Sequence, residues 1–263
     1  MINRRKILKT WSVALTLMSF FSGKGFGLDN SALKSLLVKV DDKQKNTGDY
    51  KSQVYIEETE KGKSTRVLEA TVFRRDEQDK WMLIFSKPST EAGKGYLRLE
   101  KNLFLYEPGV GKWERRTERT RIGGTNSQRG DFDQSRLAID YKSEYVGLEK
   151  LGRFMAHHVK LTANEGADVA NPILELWVEE KEVNILKRQE FSLNGKLMRT
   201  VFYPKWEKTF SKSKNADVFV PKEMRIFDEV EKGNNTTILL KEVSLDPLDP
   251  NIFTKAYIES KIR

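Results

Sequence analysis

The chain has 263 residues and a formal net charge of +9, with 38% hydrophobic and 10% aromatic residues. This composition is typical of a globular protein with an apolar core, and the length fits one large β domain or two small ones. Because the chain contains no cysteine, disulfides, thiolate metal sites, a cysteine nucleophile and an acylated N-terminal cysteine are excluded.

The first 27 residues have the layout of a cleavable export signal. Basic residues that include Arg4 and Arg5 precede an apolar run from Trp11 to Phe21 and a small-residue stretch that ends at Gly27. The apolar run is too short to span a bilayer. We therefore predict a signal at residues 1–27 and one mature domain at residues 28–263, exported to the periplasm. A permanent N-terminal anchor is the alternative.

Arg4 and Arg5 also resemble a twin-arginine export motif, although Asn3 stands where Ser or Thr is usual and Ile7 where Phe is usual. The Sec route is the alternative. The leader carries five basic residues and no acid, so its removal lowers the net charge from +9 to +4. About half of the apparent basicity is therefore part of the export signal, and we expect no nucleic-acid partner.

One helix and two series of short strands are predicted along the mature chain. Leucines and a valine at helical spacing predict a helix from Ser31 to about Lys45, with Asn30 or Ser31 as its N-cap. The first strand series is 50–58, 65–74, 80–87, 95–100, 103–107 and 112–120. The second is 142–150, 154–162, 173–179, 183–193, 196–203, 218–229 and 236–245. Short connections within each series predict antiparallel meanders. A Gly-rich break at 123–127 and a helix around 131–138 are predicted between the two series.

Two properties of these strands bear on function. Leu103 to Tyr106 is apolar on both faces, so each face needs a cover. A packed core and a helix such as Ser31 to Lys45 would supply both covers. Alternatively, an incompletely filled inner side would receive a ligand, and periodicity does not distinguish these cases. The strand from Lys112 to Thr120 is charged after Trp113, which predicts an edge of the sheet.

The segment from Gly95 to Leu137 contains Asn102-Leu-Phe-Leu-Tyr-Glu-Pro108, a Gly-Lys-Trp-Glu-Arg-Arg strand, and Arg129-Gly130-Asp131-Phe132-Asp133. With these motifs it resembles the outer-membrane lipoprotein-sorting family, the LolA-like proteins. The weaker resemblance extends from about Val38 to Pro250. The chain departs from the family pattern at Ser135-Arg136, where members carry an acidic pair.

The resemblance implies a mainly β fold with a few helices, a half-open antiparallel β-barrel of the LolA/LolB type closed by helices. It also implies a periplasmic carrier that holds acylated cargo, lipoprotein or lipid, in an apolar cavity for transfer toward the outer membrane. Such a carrier has no catalytic step and needs no cofactor. We expect an RND- or ABC-type transporter as a partner and transient contact with a membrane. We expect the protein itself to be a monomer. We predict these cavity-lining residues: Trp81, Leu83, Phe85, Leu97, Leu99, Phe104, Tyr106 and Trp177.

Alternatives to the carrier remain at this point. A filled barrel would suit a non-carrier accessory protein of a transporter, and a periplasmic hydrolase would have to use carboxylates. The basic residues Arg115, Arg116, Arg119 and Arg121 form either a charged edge or a docking patch for an anionic headgroup or a transporter. We expect no metal site, because the only histidines, His157 and His158, would point to opposite faces of a strand.

Overall fold

Thirteen strands form one antiparallel sheet in the computed structural model, which describes residues 27–262. Residues 1–26, and with them Arg4, Arg5 and nearly all of the predicted leader, lie outside the described residues. The first six strands are β1 (Asp49–Thr59), β2 (Arg66–Arg75), β3 (Lys80–Lys87), β4 (Gly95–Leu99), β5 (Asn102–Glu107) and β6 (Lys112–Arg116). The others are β7 (Tyr141–Leu151), β8 (Phe154–Ala163), β9 (Ile173–Glu179), β10 (Ile185–Phe191), β11 (Leu197–Ser211), β12 (Ala216–Asp228) and β13 (Asn235–Ser244).

The strand order is β6-β5-β4-β3-β2-β1-β13-β12-β11-β10-β9-β8-β7. Two meanders therefore meet where β1 pairs with β13, and β6 and β7 are the two edges. The predicted mainly β fold and the predicted charged edge strand are confirmed. That edge strand ends at Arg116, four residues earlier than the sequence pattern indicated.

The sheet is strongly curved. A flat sheet of this many strands would be about 57 Å wide at the usual strand spacing. Side chains from both meanders nevertheless share one buried cluster, which we call the inner apolar cluster. Its sheet members include Val54, Leu68, Leu83, Val159, Leu176, Val201, Ile226 and Ile238. Because β6 and β7 do not pair with each other, the curved sheet is a half-open barrel.

Helix α1 (Asn30–Gln44) lies on the inner side of this sheet. Its buried residues are the apolar positions whose helical spacing predicts the helix: Leu33, Leu36, Leu37 and Val40. The predicted N-cap, Asn30 or Ser31, is wrong: the N-cap is Asp29, whose carboxylate accepts a hydrogen bond of 2.7 Å from the Ala32 backbone amide. Between residues 27 and 262, none of the helices has the length and apolarity needed to cross a membrane.

The crossover segment, residues 117–140, connects the two edge strands along the inner side. Its side chains Ile122, Phe132 and Leu137 are buried in the inner apolar cluster. The single helix predicted around 131–138 is wrong: the segment forms short 3-10 turns at Ile122–Gly124 and Arg129–Asp131, and a four-residue α2 (Leu137–Asp140). The Asp131 carboxylate accepts a hydrogen bond from the Gln128 amide, which caps a single turn instead of extending a helix.

Gly123 is required where the crossover segment touches the sheet. Its φ is +60°, and a Cβ atom there would lie 2.8 Å from Phe85 Cζ and 2.9 Å from Leu68 Cδ1. The Tyr96 hydroxyl accepts a hydrogen bond of 3.1 Å from the Gly123 amide. A larger residue would therefore strain the backbone and push the segment away from β2 and β3.

The C-terminal segment covers the outer face of the first meander. An outer apolar cluster comprises Phe73, Met82, Leu97, Tyr106, Ile252, Phe253 and Ile258. Ile258 lies on α3 (Lys255–Glu259), and the Trp113 indole donates a hydrogen bond of 2.7 Å to Glu259. The helix predicted from Ser31 to Lys45, α1 in the structure, thus covers the inner face of the sheet. The C-terminal segment covers the outer apolar face.

Replacing Ile258 with alanine tests this outer cover. Ile258 is fully buried, so we expect Ile258→Ala to lower the free energy of unfolding by about 2–5 kcal/mol through lost burial and a residual cavity. Urea unfolding followed by tryptophan fluorescence measures this loss. Leu193→Ala is the control, because Leu193 is 80% exposed. Equal stabilities of the two variants would contradict the packing of the C-terminal segment.

Candidate functional site

Three of the predicted cavity residues meet on the inner face, beneath the crossover segment. Trp81, Leu83 and Phe85 alternate along β3 and are buried in the inner apolar cluster. The Trp81 ring lies 5.8 Å from that of Phe132, and the Phe85 ring lies 6.3 Å from that of Tyr96. The sheet, α1 and the crossover segment therefore surround this part of the apolar surface.

Four other predicted cavity residues lie on the outer face. Leu97 and Tyr106 belong to the outer apolar cluster, and Leu99 packs against it. Leu97 pairs directly with Phe104 in the sheet, and the Lys255 ammonium lies 4.6 Å from the Phe104 ring centre. These four side chains thus lie across the sheet from Trp81, and the eight residues do not line a single cavity. Whether each contacts a ligand stays a prediction.

Trp177 also lies on the outer face, in the second meander. Its ring stacks on His158 with 4.2 Å between ring centres, and the Lys187 ammonium lies 3.8 Å from its centre. Its indole donates a hydrogen bond to Glu149. His157 contacts Tyr145 instead, so the two histidines point to opposite faces, as strand alternation predicts. Within the described part of the chain, no group of three His, Asp or Glu residues could hold a metal ion.

The predicted basic patch is largely engaged in contacts within the chain. Arg116 pairs with Glu114 at 2.6 Å, and Arg121 pairs with Asp228 at 3.0 Å. Arg119 donates a hydrogen bond of 3.0 Å to the Ala170 carbonyl. Arg115 is exposed. A docking role for these four arginines stays a prediction.

A buried ionic network lies between the crossover segment and the second meander. The Asp131 carboxylate contacts Arg188 at 2.6 Å and Arg199 at 2.7 Å, and Glu190 contacts the same arginines at 2.8 and 2.9 Å. The Asp131 side chain has no exposed surface. Burial alone would raise the pKa of Asp131, but Arg199 and Arg188 outweigh it and hold the pKa below its ordinary value.

The network continues to the first meander through Asp133. Its oxygens lie 3.3 Å from Arg98 Nε and 3.2 Å from Arg129 Nε, and one accepts a hydrogen bond of 2.5 Å from the Trp81 indole. Burial raises the pKa of Asp133 despite both arginines. The remaining members are Asp79, 2.5 Å from Arg98, and Asp168, 3.2 Å from Arg129. The segment that resembles the LolA-like family thus connects both halves of the sheet.

A cavity of about 290 Å³ borders this ionic network. Its wall also contains Leu137, Leu174, Ile185 and Met224, which belong to the inner apolar cluster. Sequence reasoning did not single out the network residues of the strands: Arg98, Arg188, Glu190 and Arg199. The sequence signal for these residues is a charged side chain on the same face of a strand as buried apolar side chains. On β11, for example, Arg199 lies two residues before the buried Val201 and so shares its face.

Three solved structures are similar to this chain over most of its length. A LolA superfamily protein from Nitrosomonas europaea has a TM-score of 0.72 at 19% identity, covering 85% of this chain and 98% of its own. A putative outer membrane lipoprotein-sorting protein domain from Vibrio parahaemolyticus has a TM-score of 0.73 at 15% identity, covering 86% and 97%. A DUF1329 family protein from Desulfovibrio piger has a TM-score of 0.76 at 16% identity, covering 87% and 98%.

These likenesses define the class of fold: the chain has a LolA-like half-open barrel, as its sequence resemblance implied. No curated protein sequence matches the chain. A family model with the description "-like: Uncharacterized protein" matches residues 77–260. The chain therefore belongs to this family, and the matched region includes the crossover segment.

Two asparagine substitutions test the ionic network. Asp131→Asn leaves Arg188 and Arg199 with a single carboxylate, and we expect it to lower the free energy of unfolding by about 3–5 kcal/mol at pH 7. Asp133→Asn replaces a carboxyl whose pKa is already raised by burial, so we expect a smaller loss, about 1–2 kcal/mol. Urea unfolding of both variants measures the difference.

The loss of stability in Asp131→Asn should depend on pH. Because the folded pKa of Asp131 lies below its ordinary value of 3.8, its stabilising effect is present above pH 3.8 and disappears as the pH falls through the folded pKa. The gap in stability between the wild-type protein and Asp131→Asn should therefore narrow in strong acid. Equal losses for the two variants at pH 7, or a gap that is constant with pH, would contradict the assignment.

Proposed function

We propose that the mature protein is a non-catalytic periplasmic carrier that binds acylated cargo, a lipoprotein or a lipid, on the inner face of its sheet for transfer toward the outer membrane. One observation carries the proposal. Among residues 27–262, the apolar inner face of this LolA-like fold is covered by one 15-residue helix and the crossover segment, and not by a second sheet. Such covers can be exchanged for another apolar group without disrupting the strand pairing.

The energetics favour reversible exchange between α1 and an acyl chain. Full burial of the four apolar side chains of α1 is worth roughly 6–12 kcal/mol, at about 1.5–3 kcal/mol each. An acyl chain of about sixteen carbons gains roughly 12 kcal/mol at about 0.8 kcal/mol per methylene group. Since these magnitudes are comparable, cargo would displace α1 without being held irreversibly, which suits a carrier.

A polar contact at Asp41 ties α1 to the crossover segment. Its carboxylate accepts hydrogen bonds from the Ser135 hydroxyl at 2.6 Å and from the amides of Leu137 and Ala138 at 2.9 Å each. Burial raises the pKa of Asp41 above its ordinary value, so the carboxylate is held at some cost in desolvation. We infer that this contact keeps α1 on the sheet when no cargo is bound.

The location and direction of transport rest on two further supports. The N-terminal sequence has the layout of an export signal. The similar structure from Vibrio parahaemolyticus is described as a putative outer membrane lipoprotein-sorting protein domain. The carboxylates of the ionic network contact arginines, and this pairing supports a structural role for them over hydrolysis.

The second candidate function is a non-carrier accessory protein of an RND- or ABC-type transporter. A permanently filled inner side of the barrel would favour it. The cavity beside the ionic network, about 290 Å³, is bordered by twelve charged residues as well as apolar ones. In this alternative α1 is a permanent part of the core. The exposed Arg115 and its neighbours would then belong to the docking surface.

Replacing Asp41 distinguishes the two candidates. Asp41→Ala removes the acceptor of three hydrogen bonds, so a carrier should have its α1 displaced more often. We expect its apparent affinity for a fluorescent fatty-acid probe to increase about fivefold, while the thermal midpoint falls. Asp42→Ala is the matched control, because the Asp42 side chain is 70% exposed and makes only a surface ion pair with Lys214 at 3.3 Å, which contributes little.

The accessory candidate gives a different result. For a permanently filled barrel, Asp41→Ala lowers the thermal midpoint and neither variant nor the wild-type protein binds the probe. Binding by Asp42→Ala should equal that of the wild-type protein if the effect belongs to the Asp41 contact.

A further inference from the structure

The hairpin of β11 and β12 extends beyond the rest of the sheet. β11 pairs with β10 only over residues 197–202, and β12 pairs with β13 only over residues 223–227. Pairing between β11 and β12 themselves continues as far as the turn at 212–215. Residues 204–222 therefore form a two-stranded extension, which we call the ribbon, and its two outer edges pair with no other described strand.

The two faces of the ribbon differ in burial. Val218 and Val220 lie on one face and are buried in the inner apolar cluster. Phe210 lies opposite Asp217, on the other face, and its side chain is 59% exposed. It is the most exposed aromatic side chain among residues 27–262. A single exposed apolar side chain is common on protein surfaces, so the charges around this one decide what it indicates.

Positive charge is concentrated on the ribbon. Its 19 residues carry a net charge of +3, whereas the chain without the predicted leader carries +4 in total. The charged residues are Lys205, Lys208, Lys212, Lys214, Lys222, Glu207 and Asp217. Lys208 and Lys222 pair with the two acids, and Lys214 pairs with Asp42. Lys205 and Lys212 are exposed and form no ion pair with another described residue. The exposed Phe210 is thus accompanied by uncompensated lysines.

These features fit an anionic membrane surface better than an acidic protein. Interfaces between proteins are enriched in arginine and depleted in lysine, but every basic residue of the ribbon is a lysine. A specific protein interface also buries roughly 800 Å² on each partner, and one face of this narrow ribbon is already buried. A bilayer requires less, because lysines are attracted to an anionic surface and an aromatic ring is stable at the headgroup level.

The ribbon also contacts the end of α1, the cover that cargo would displace. The Lys43 ammonium of α1 lies 3.7 Å from the centre of the Phe219 ring. Lys214 donates a hydrogen bond of 3.1 Å to the Lys45 carbonyl, and the Ser211 hydroxyl donates one of 2.6 Å to the Asn46 side chain. A membrane that touches the ribbon would therefore lie close to the movable cover.

We propose that the ribbon is the membrane-contact surface of this protein. Phe210 enters the headgroup region of an anionic bilayer, and Lys205, Lys208 and Lys212 lie against its phosphates. The inference rests on the proposed carrier function and specifies where the carrier meets the membrane that supplies or receives its cargo. It assigns this contact to a surface other than the arginines predicted from the sequence.

Co-flotation with lipid vesicles tests this inference. The protein is mixed with phosphatidylcholine vesicles and with vesicles in which one third of the lipid is phosphatidylglycerol. We expect at least tenfold tighter binding to the anionic vesicles. Phe210→Ala should weaken this binding about tenfold through lost apolar burial. The double variant Lys205→Gln with Lys212→Gln should weaken it about tenfold and reduce its salt dependence.

The matched control is the double variant Leu193→Ala with Lys196→Gln. It removes an exposed apolar side chain and an exposed lysine from the turn between β10 and β11, and it should bind the anionic vesicles as the wild-type protein does. The N-terminal segment is the same in every variant, so differences between variants report on the ribbon. All the substituted side chains are exposed, and equal thermal midpoints confirm that each variant is folded.

Two results would overturn the inference: equal binding to both kinds of vesicle, or ribbon variants that bind like the control variant. No binding to either kind of vesicle would also overturn it, and would leave an acidic protein as the partner of the ribbon. The fatty-acid probe separates this inference from the carrier function. Probe binding without vesicle binding would contradict the ribbon assignment alone, whereas absence of probe binding would contradict the carrier function.

Discussion

The buried carboxylate of Asp131 is the interaction on which the rest of the structure depends. It joins the crossover segment to Arg188 on β10 and Arg199 on β11, while Asp133, two residues later, accepts from Trp81 on β3. One short segment is thereby tied to both meanders. Phe132 is then directed into the inner apolar cluster, and the unpaired edges β6 and β7 are held around a common core. α1 in turn rests on the end of this segment through Asp41.

A network of this kind is a costly way to stabilise a core, because apolar residues of similar volume often do as well without the desolvation penalty. The wall of the cavity beside this network continues into apolar surface. An acyl chain on the inner face would therefore lie next to a polar wall. α1, which covers the apolar inner face, is the element that would have to move for cargo to bind.

Local patterns predicted the strands, the α1 helix and the charged edge because each depends on neighbours in sequence. The functional faces depended on distant residues. Periodicity places Trp81, Leu83 and Phe85 on one face of β3. The prediction that Leu97 shares that face was wrong, because it required the register between β3 and β4, and a one-residue shift reverses the face. The outer cover comes from Ile258, far along the chain from β4, which it covers. Strand β11 continues past Tyr203 to Ser211 because register shifts around Pro204 keep it paired with β12.

The central claim is that the inner face holds an acyl chain. Native mass spectrometry tests it most directly, on the protein purified from its native source without detergent, before and after organic extraction. We expect an adduct with the mass of a lipid or lipopeptide that disappears on extraction. A bare polypeptide mass before extraction, with no adduct formed on incubation with lipid vesicles, would contradict it.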